Sequence, residues 1–224
     1  MKLLKITLIA VISSVLMVLP STAKEFRIGV AAGMTAVNAD GEETLKSSSK
    51  KTKSEASETG VIPSVFAEFA ADNGWGVGLE RVQGSADINS QAKSRTHVGG
   101  TGNDSGTNKA SAEIDGLTSA YIIKTMQNGF FAKIGRTQTT VNTKEVLSTG
   151  SIYNDEDMTG TMFGIGYTHT NDNGVFYRVS GEHTGYDTIT LTSTTAADAT
   201  TTTKNKISAD IDTTAFKVSI GKAF

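Results

Sequence analysis

The chain closes on "TTAFKVSIGKAF" (213–224), in which Phe216, Val218, Ile220 and Phe224 all fall at even positions. Apolar residues recurring with period two share one face of a β-strand, leaving Lys217, Ser219 and Gly221 on the other. Chain ends usually fray, so an end this regularly patterned predicts a strand held between neighbours.

The composition agrees. Glycine is frequent (23) and proline rare (2) in 224 residues, and Ser, Thr and Asn abound, which favours strands and turns over helices. There is no cysteine, so neither a disulfide framework nor a thiolate metal site is possible. A formal net charge of −2 supplies no field to attract nucleic acid.

The opening stretch "MKLLKITLIAVISSVLMVLPSTA" (1–23) carries Lys2 and Lys5, an apolar run from Ile6 to Leu19, then Pro20 and the small residues Ser21 and Ala23. This is the pattern of a cleaved signal peptide, predicting export through the Sec pathway and a mature domain over 24–224. Losing the two lysines takes the charge from −2 to −4. No later stretch reaches the roughly 20 apolar residues of a spanning helix. A membrane location would therefore require a closed barrel, which satisfies every backbone group internally.

Asn73-Gly74, Asn128-Gly129 and Asn173-Gly174 each separate alternating segments, a strong hairpin signal when both residues accept positive φ. Between these turns lie long polar stretches at 38–60, 84–111, 137–160 and 187–206. Structureless loops of such length are uncommon in compact soluble domains. Three short turns and four long loops require eight strands, predicted near 25–38, 60–72, 75–84, 112–126, 129–138, 159–171, 174–187 and 207–224.

Most of these strands have a large apolar face: Phe26, Ile28, Val30 and Met34 in the first, Phe163, Ile165 and Tyr167 in the sixth. In the fourth, Leu117, Tyr121 and Ile123 are assigned to this face, opposite Thr118, Ala120 and Lys124. The other face is mostly Gly, Ala, Ser and Thr with isolated charges, although Phe66, Ile122, Phe131 and Phe176 also fall on it. Small residues suit the narrow interior of an eight-stranded barrel, so the apolar face is predicted to point outward into lipid. A soluble calyx-like barrel, with its large residues inward, is the competing reading. Phe26, Phe69, Trp75, Phe130, Tyr167 and Phe224 fall near one rim, as an aromatic girdle does.

On this signal peptide, hairpin rhythm and terminal "FKVSIGKAF", the chain resembles the small bacterial outer-membrane β-barrels of the OmpA transmembrane domain, OmpX and OmpW kind. The resemblance spans the mature chain as a pattern, without residue-level identity. It implies an all-β, eight-stranded antiparallel transmembrane barrel in the cell outer membrane, acting as a monomer among lipid and lipopolysaccharide. It further implies that Phe216, Val218, Ile220 and Phe224 form the signal read by the barrel-assembly machinery. Lys222 departs from the aromatic or apolar residue usual at that place, and Pro63 predicts a bulge or the outer end of its strand.

The inward face is predicted to hold Arg27, Lys124, Lys133, Arg178 and Lys217 with Glu68, Glu80 and Glu182. Buried charges must be paired, so these form either an ion gate or a structural plug. The narrow bore of eight strands favours the plug. His97, His169 and His183 are the only histidines, and no serine sits in a nucleophile context, so the reading is non-enzymatic, with no cofactor or metal. Asp155, Glu156 and Asp157 lack the spacing of a calcium loop. The run "KSSSKKTKSE" (46–55) reads as a solvated charge run, with contact to anionic lipopolysaccharide sugars as its alternative. The expected function is a plugged barrel with a structural or surface-interaction role carried by its loops. A small channel for ions or hydrophobic solutes is the alternative, and a membrane-embedded hydrolase or acyltransferase is a more distant one.

Overall fold

A computed structural model of the protein describes residues 23–44, 51–89, 93–95, 106–108, 111–144, 152–194 and 204–224. The predicted signal peptide lies outside them except for Ala23, as do His97 and the first half of the 46–55 charge run.

The strands are β1 (Ala23–Thr44), β2 (Lys51–Ala71), β3 (Trp75–Val82), β4 (Ala86–Asn89), β5 (Lys93–Arg95), β6 (Gly106–Asn108), β7 (Ser111–Thr125), β8 (Phe130–Thr143), β9 (Glu156–Thr170), β10 (Val175–Tyr186), β11 (Ile189–Thr192) and β12 (Lys206–Ala223). Eight of them, β1-β2-β3-β7-β8-β9-β10-β12, pair in antiparallel order, and β12 returns to β1, closing the barrel. Strand β4 prolongs β3 along β7, β11 prolongs β10 along β12, and β5 and β6 form a separate ribbon. The predicted long loops are therefore partly sheet. The first hairpin stays paired out to Thr44 and Lys51 because its polar residues continue the ladder.

Each tight turn is built alike, and differently from a two-residue Asn-Gly turn. Gly74, Gly129 and Gly174 take φ of 80, 87 and 80°, and each N–H donates to a carbonyl three residues back, on Ala71, Met126 and Asn171. This is a three-residue loop with a glycine bulge. The asparagine carbonyl oxygens of Asn73, Asn128 and Asn173 accept from the backbone N–H groups of Trp75, Phe130 and Val175.

The outer face carries the apolar belt: Val30 is 53% exposed, Ile165 56% and Val218 54%. An apolar surface encircling a barrel is one for lipid, not water, which removes the calyx reading. Strand β7 is the exception to the predicted facing. Its pairing with β8 slips by one residue between Asp115 and Thr118, at Gly116 with φ of 68°. A bulge reverses which residues point inward. Tyr121 and Ile123 are consequently buried, Leu117 packs against the inner cluster, and Ile122 faces out.

Candidate functional site

Two tiers of charge close the inner half of the lumen. In the tier nearer the tight turns, Arg178 donates from Nη1 and Nη2 to Oε1 and Oε2 of Glu68, at 2.7 and 2.8 Å. The Tyr121 hydroxyl donates to the same carboxylate at 2.7 Å. The guanidinium lies 5.2, 4.9 and 5.5 Å from the ring centres of Phe66, Phe131 and Phe176. Three aromatic faces thus surround a cation that is already forked onto its counter-ion.

The second tier is a four-membered ring. Lys133 contacts Glu182 at 2.7 Å and Glu80 at 3.4 Å, while Lys217 contacts Glu80 at 2.5 Å and Glu182 at 2.9 Å. Ser64 and Ser180 donate to Glu80 and Glu182 at 2.7 and 3.0 Å. Each carboxylate is shared by both ammonium groups, so the ring carries no net charge and satisfies the pairing that burial demands.

Of the eight predicted lumen charges, six make up these tiers. Arg27 is half-buried, faces Glu68 across β1 and β2, and pairs with Glu25. Lys124 is a correction: the bulge in β7 turns it outward, where its Nζ sits 5.2 Å from the Trp75 ring and donates to the Asn73 carbonyl. Phe26 lies 5.0 Å from Phe69 and 6.4 Å from Phe224, and Phe130 lies 5.4 Å from Tyr167, all beside the tight turns. Phe216, Val218 and Ile220 face outward in the belt. Phe224 exchanges backbone hydrogen bonds with Phe26, at 2.9 and 3.1 Å, where the barrel closes. His169 and His183 point outward, and His183 shares a hydrogen bond with Thr214. Asp155 and Asp157 accept from Thr143 and Thr140, and among the described residues no three acidic, histidine or cysteine side chains form a metal-holding group.

Sequence reasoning put Phe66, Phe131 and Phe176 on the inward face but missed Tyr121 and the glycines that make room for all four rings. Tyr121, Phe66, Phe131 and Phe176 stand in register opposite Gly78, Gly29, Gly166 and Gly221 on the neighbouring strands. A Cβ on any of those glycines would come within 2.4 to 2.6 Å of the facing ring. An inward aromatic opposite a glycine is the signal that could have located them.

Above the ionic ring a second seal is apolar: Val37, Ile114, Val141, Met158, Tyr186, Ile189 and Ile211 pack together across the bore. Buried Tyr153 belongs to the loop segment over this mouth, which is tied across by Thr194 N–H to the Ile152 carbonyl at 2.7 Å. Between the seals remains a chamber of about 60 Å³. Its floor includes Glu182, Lys217 and Ser64, and its walls include Val37, Ile62, Ile114 and Met162.

Two residues that line the chamber are exposed where one ladder of the barrel ends. The β2–β3 ladder ends at Ser64 and Val82, one residue short of Pro63. The Pro63 carbonyl accepts from Gln83 N–H at 2.8 Å, so its backbone edge faces β3, but proline has no N–H with which to reciprocate. Gly84, with φ of 100°, then turns the chain, and β4 resumes on β7 alone. Exposed Gly84 and Ser85 line both this break and the chamber. Pro63 thus lies inside β2, paired with Ala32 and without a bulge, contrary to the expectation of a bulge or the strand's outer end; what ends beside it is the ladder to β3.

No family model matches the sequence, and no curated protein does. Among solved structures the chain is similar to the outer membrane protein OprG from Pseudomonas aeruginosa, with a TM-score of 0.57 at 13% identity over 91% of this chain and 97% of that one. It is also similar to the outer membrane protein AlkL determined in lipid bilayers, with a TM-score of 0.51 at 10% identity over 91% of each chain. The fold is that of the small outer-membrane β-barrels.

Proposed function

We propose that the protein is a non-enzymatic outer-membrane barrel, sealed to ions along its axis, whose chamber exchanges small apolar solutes with the bilayer through the break beside Pro63. The observation that carries this is the placement of the chamber: an ionic seal lies below it, an apolar seal above it, and its surface-exposed lining is at the wall. A buried, mutually paired ring holds no mobile counter-ion and presents no free charge to a passing ion. The belt and the aromatic pairs at the tight-turn rim support the membrane setting, with outer-membrane lipid and lipopolysaccharide as its surroundings.

The test pairs two measurements on folded protein. In planar bilayers the reconstituted barrel gives no current steps; steady, salt-dependent steps would refute the seal. In cells, expression raises outer-membrane passage of a small uncharged apolar fluorophore such as N-phenyl-1-naphthylamine, and Ser85→Trp at the chamber mouth abolishes the gain. An equal gain from the Ser85→Trp variant removes the side route.

A loop-borne surface role has its own support. Strands β1, β2 and β12 stay paired past the belt, through Asn38–Thr44 on β1, and raise a sheet carrying Asp40, Glu42, Lys51 and Glu55. Removing that sheet while keeping the barrel, and scoring cell adhesion, separates this role from solute passage.

A further inference from the structure

We infer that the chamber selects an aliphatic molecule bearing one small, uncharged hydrogen-bonding head, held with the head inside the barrel and the chain leaving through the wall. This rests on the side-access reading above and adds the chemistry of the solute. The chamber, at about 60 Å³, has room for only a few non-hydrogen atoms, so a longer molecule must leave most of itself outside. The available exit is the break lined by exposed Gly84 and Ser85, where the last outward-facing pair of the ladder is Val65 with exposed Arg81. A chain leaving there on the β2 side lies along outward-facing Val65 and Val61.

The head is assigned from the floor and sides. An anionic head would approach Glu182, and a cationic head would approach Lys217, in a ring where each charge already has two partners. Either would have to dismantle buried ion pairs. What the chamber does offer is hydroxyl groups: Thr35, Thr184 and Thr213 line it, with Thr184 opposite Thr213 in the β10–β12 register. Hydroxyls both donate and accept, so they serve an alcohol or amide head without a change of charge. A plain alkane would offer these hydroxyls no hydrogen bond.

Methionine methyl NMR of the folded protein in lipid nanodiscs tests this, because the methionines report from distinct places. Met162 lines the chamber, whereas Met34 faces outward in the belt. 1-Octanol, octane, octanoate and octylammonium are compared at equal bilayer mole fraction. The expected result is a saturable shift of Met162 with 1-octanol, at least ten-fold weaker with the other three, while Met34 responds alike to all four. The double variant Thr184→Val/Thr213→Val, checked for heat-modifiable migration as folded protein, brings octanol down to the level of octane. Octane matching octanol at Met162 overturns the head-group assignment but leaves side access standing. Octanoate or octylammonium binding best also overturns it. No response at Met162 to any of the four overturns both readings.

Discussion

Arg178 and Glu68 stand 110 positions apart in the chain yet meet as a two-bond fork, 2.7 and 2.8 Å, across the lumen. Glu68 is 1% exposed and Arg178 4%, so neither has water as a substitute partner. Glu68→Gln strands a buried guanidinium and costs about 3–5 kcal/mol, whereas Glu68→Gln combined with Arg178→Met recovers most of that loss. Urea unfolding from lipid vesicles measures both. Simple additivity of the two single changes would show that the fork is not a coupled unit.

The glycines facing the lumen aromatics are spatially required. Gly78→Ala places a methyl 2.4 Å from Tyr121 Cζ, and Gly166→Ala places one 2.2 Å from the Val179 carbonyl oxygen and 2.6 Å from Phe131 Cζ. Each is expected to destabilise by about 1–3 kcal/mol through overpacking. Gly181→Ala, whose methyl meets nothing within 4 Å, is the control and should change stability little. A Gly78→Ala effect as small as that of Gly181→Ala would mean that the Tyr121 ring moves aside freely.

Lys222, the departure from the usual terminal pattern, has a job at the neighbouring turn. Its Nζ donates to the Asn173 carbonyl, as Lys124 does to that of Asn73, so two turns are clasped by the lysine of an adjoining strand. Lys222→Met should lower unfolding stability by about 1 kcal/mol, the net worth of such a bond. Unchanged stability would reduce Lys222 to a solvated charge beside the girdle.

Outside the belt, the Thr159 hydroxyl donates to Asp187 at 2.6 Å, and this bond, helped by the Arg136 guanidinium at 3.3 Å, holds the carboxyl below its ordinary range. A carboxyl depressed in the folded state stabilises it above the unfolded pKa of about 3.9, and that stability is lost as pH falls through the folded value. Carboxyl-carbon NMR should therefore show Asp187 titrating below 3.9, and Thr159→Ala should move it upward. A titration at or above 3.9 in the wild-type protein would dissolve the triad.

Much of this was legible because the relevant physics is local. Alternation with period two placed Phe26, Ile28, Phe163, Ile165, Phe216 and Val218 on one face, and the structure exposes that face. The Asn-Gly pairs located the turns, although the conformation proved to be a glycine bulge, since both turn types draw on the same residues. Strand β7 was misread because Tyr121, Ile122 and Ile123 are apolar on both faces. Leu117, Tyr121 and Ile123 do share one face, but it is the inward one, and the bulge at Gly116 puts that face in step with inward Ile114 before it.

The sequence by itself determined the number of strands, the positions of the tight turns and the outward aspect of the belt. These follow from side-chain spacing along one strand and from residues that accept a turn. Only the tertiary structure decided which charges are partners, that Lys124 is outside, and that a chamber lies next to the end of the β2–β3 ladder. Those depend on the register of strands far apart in the chain, on a one-residue slip in β7, and on the N–H that proline lacks where β3 would have accepted it.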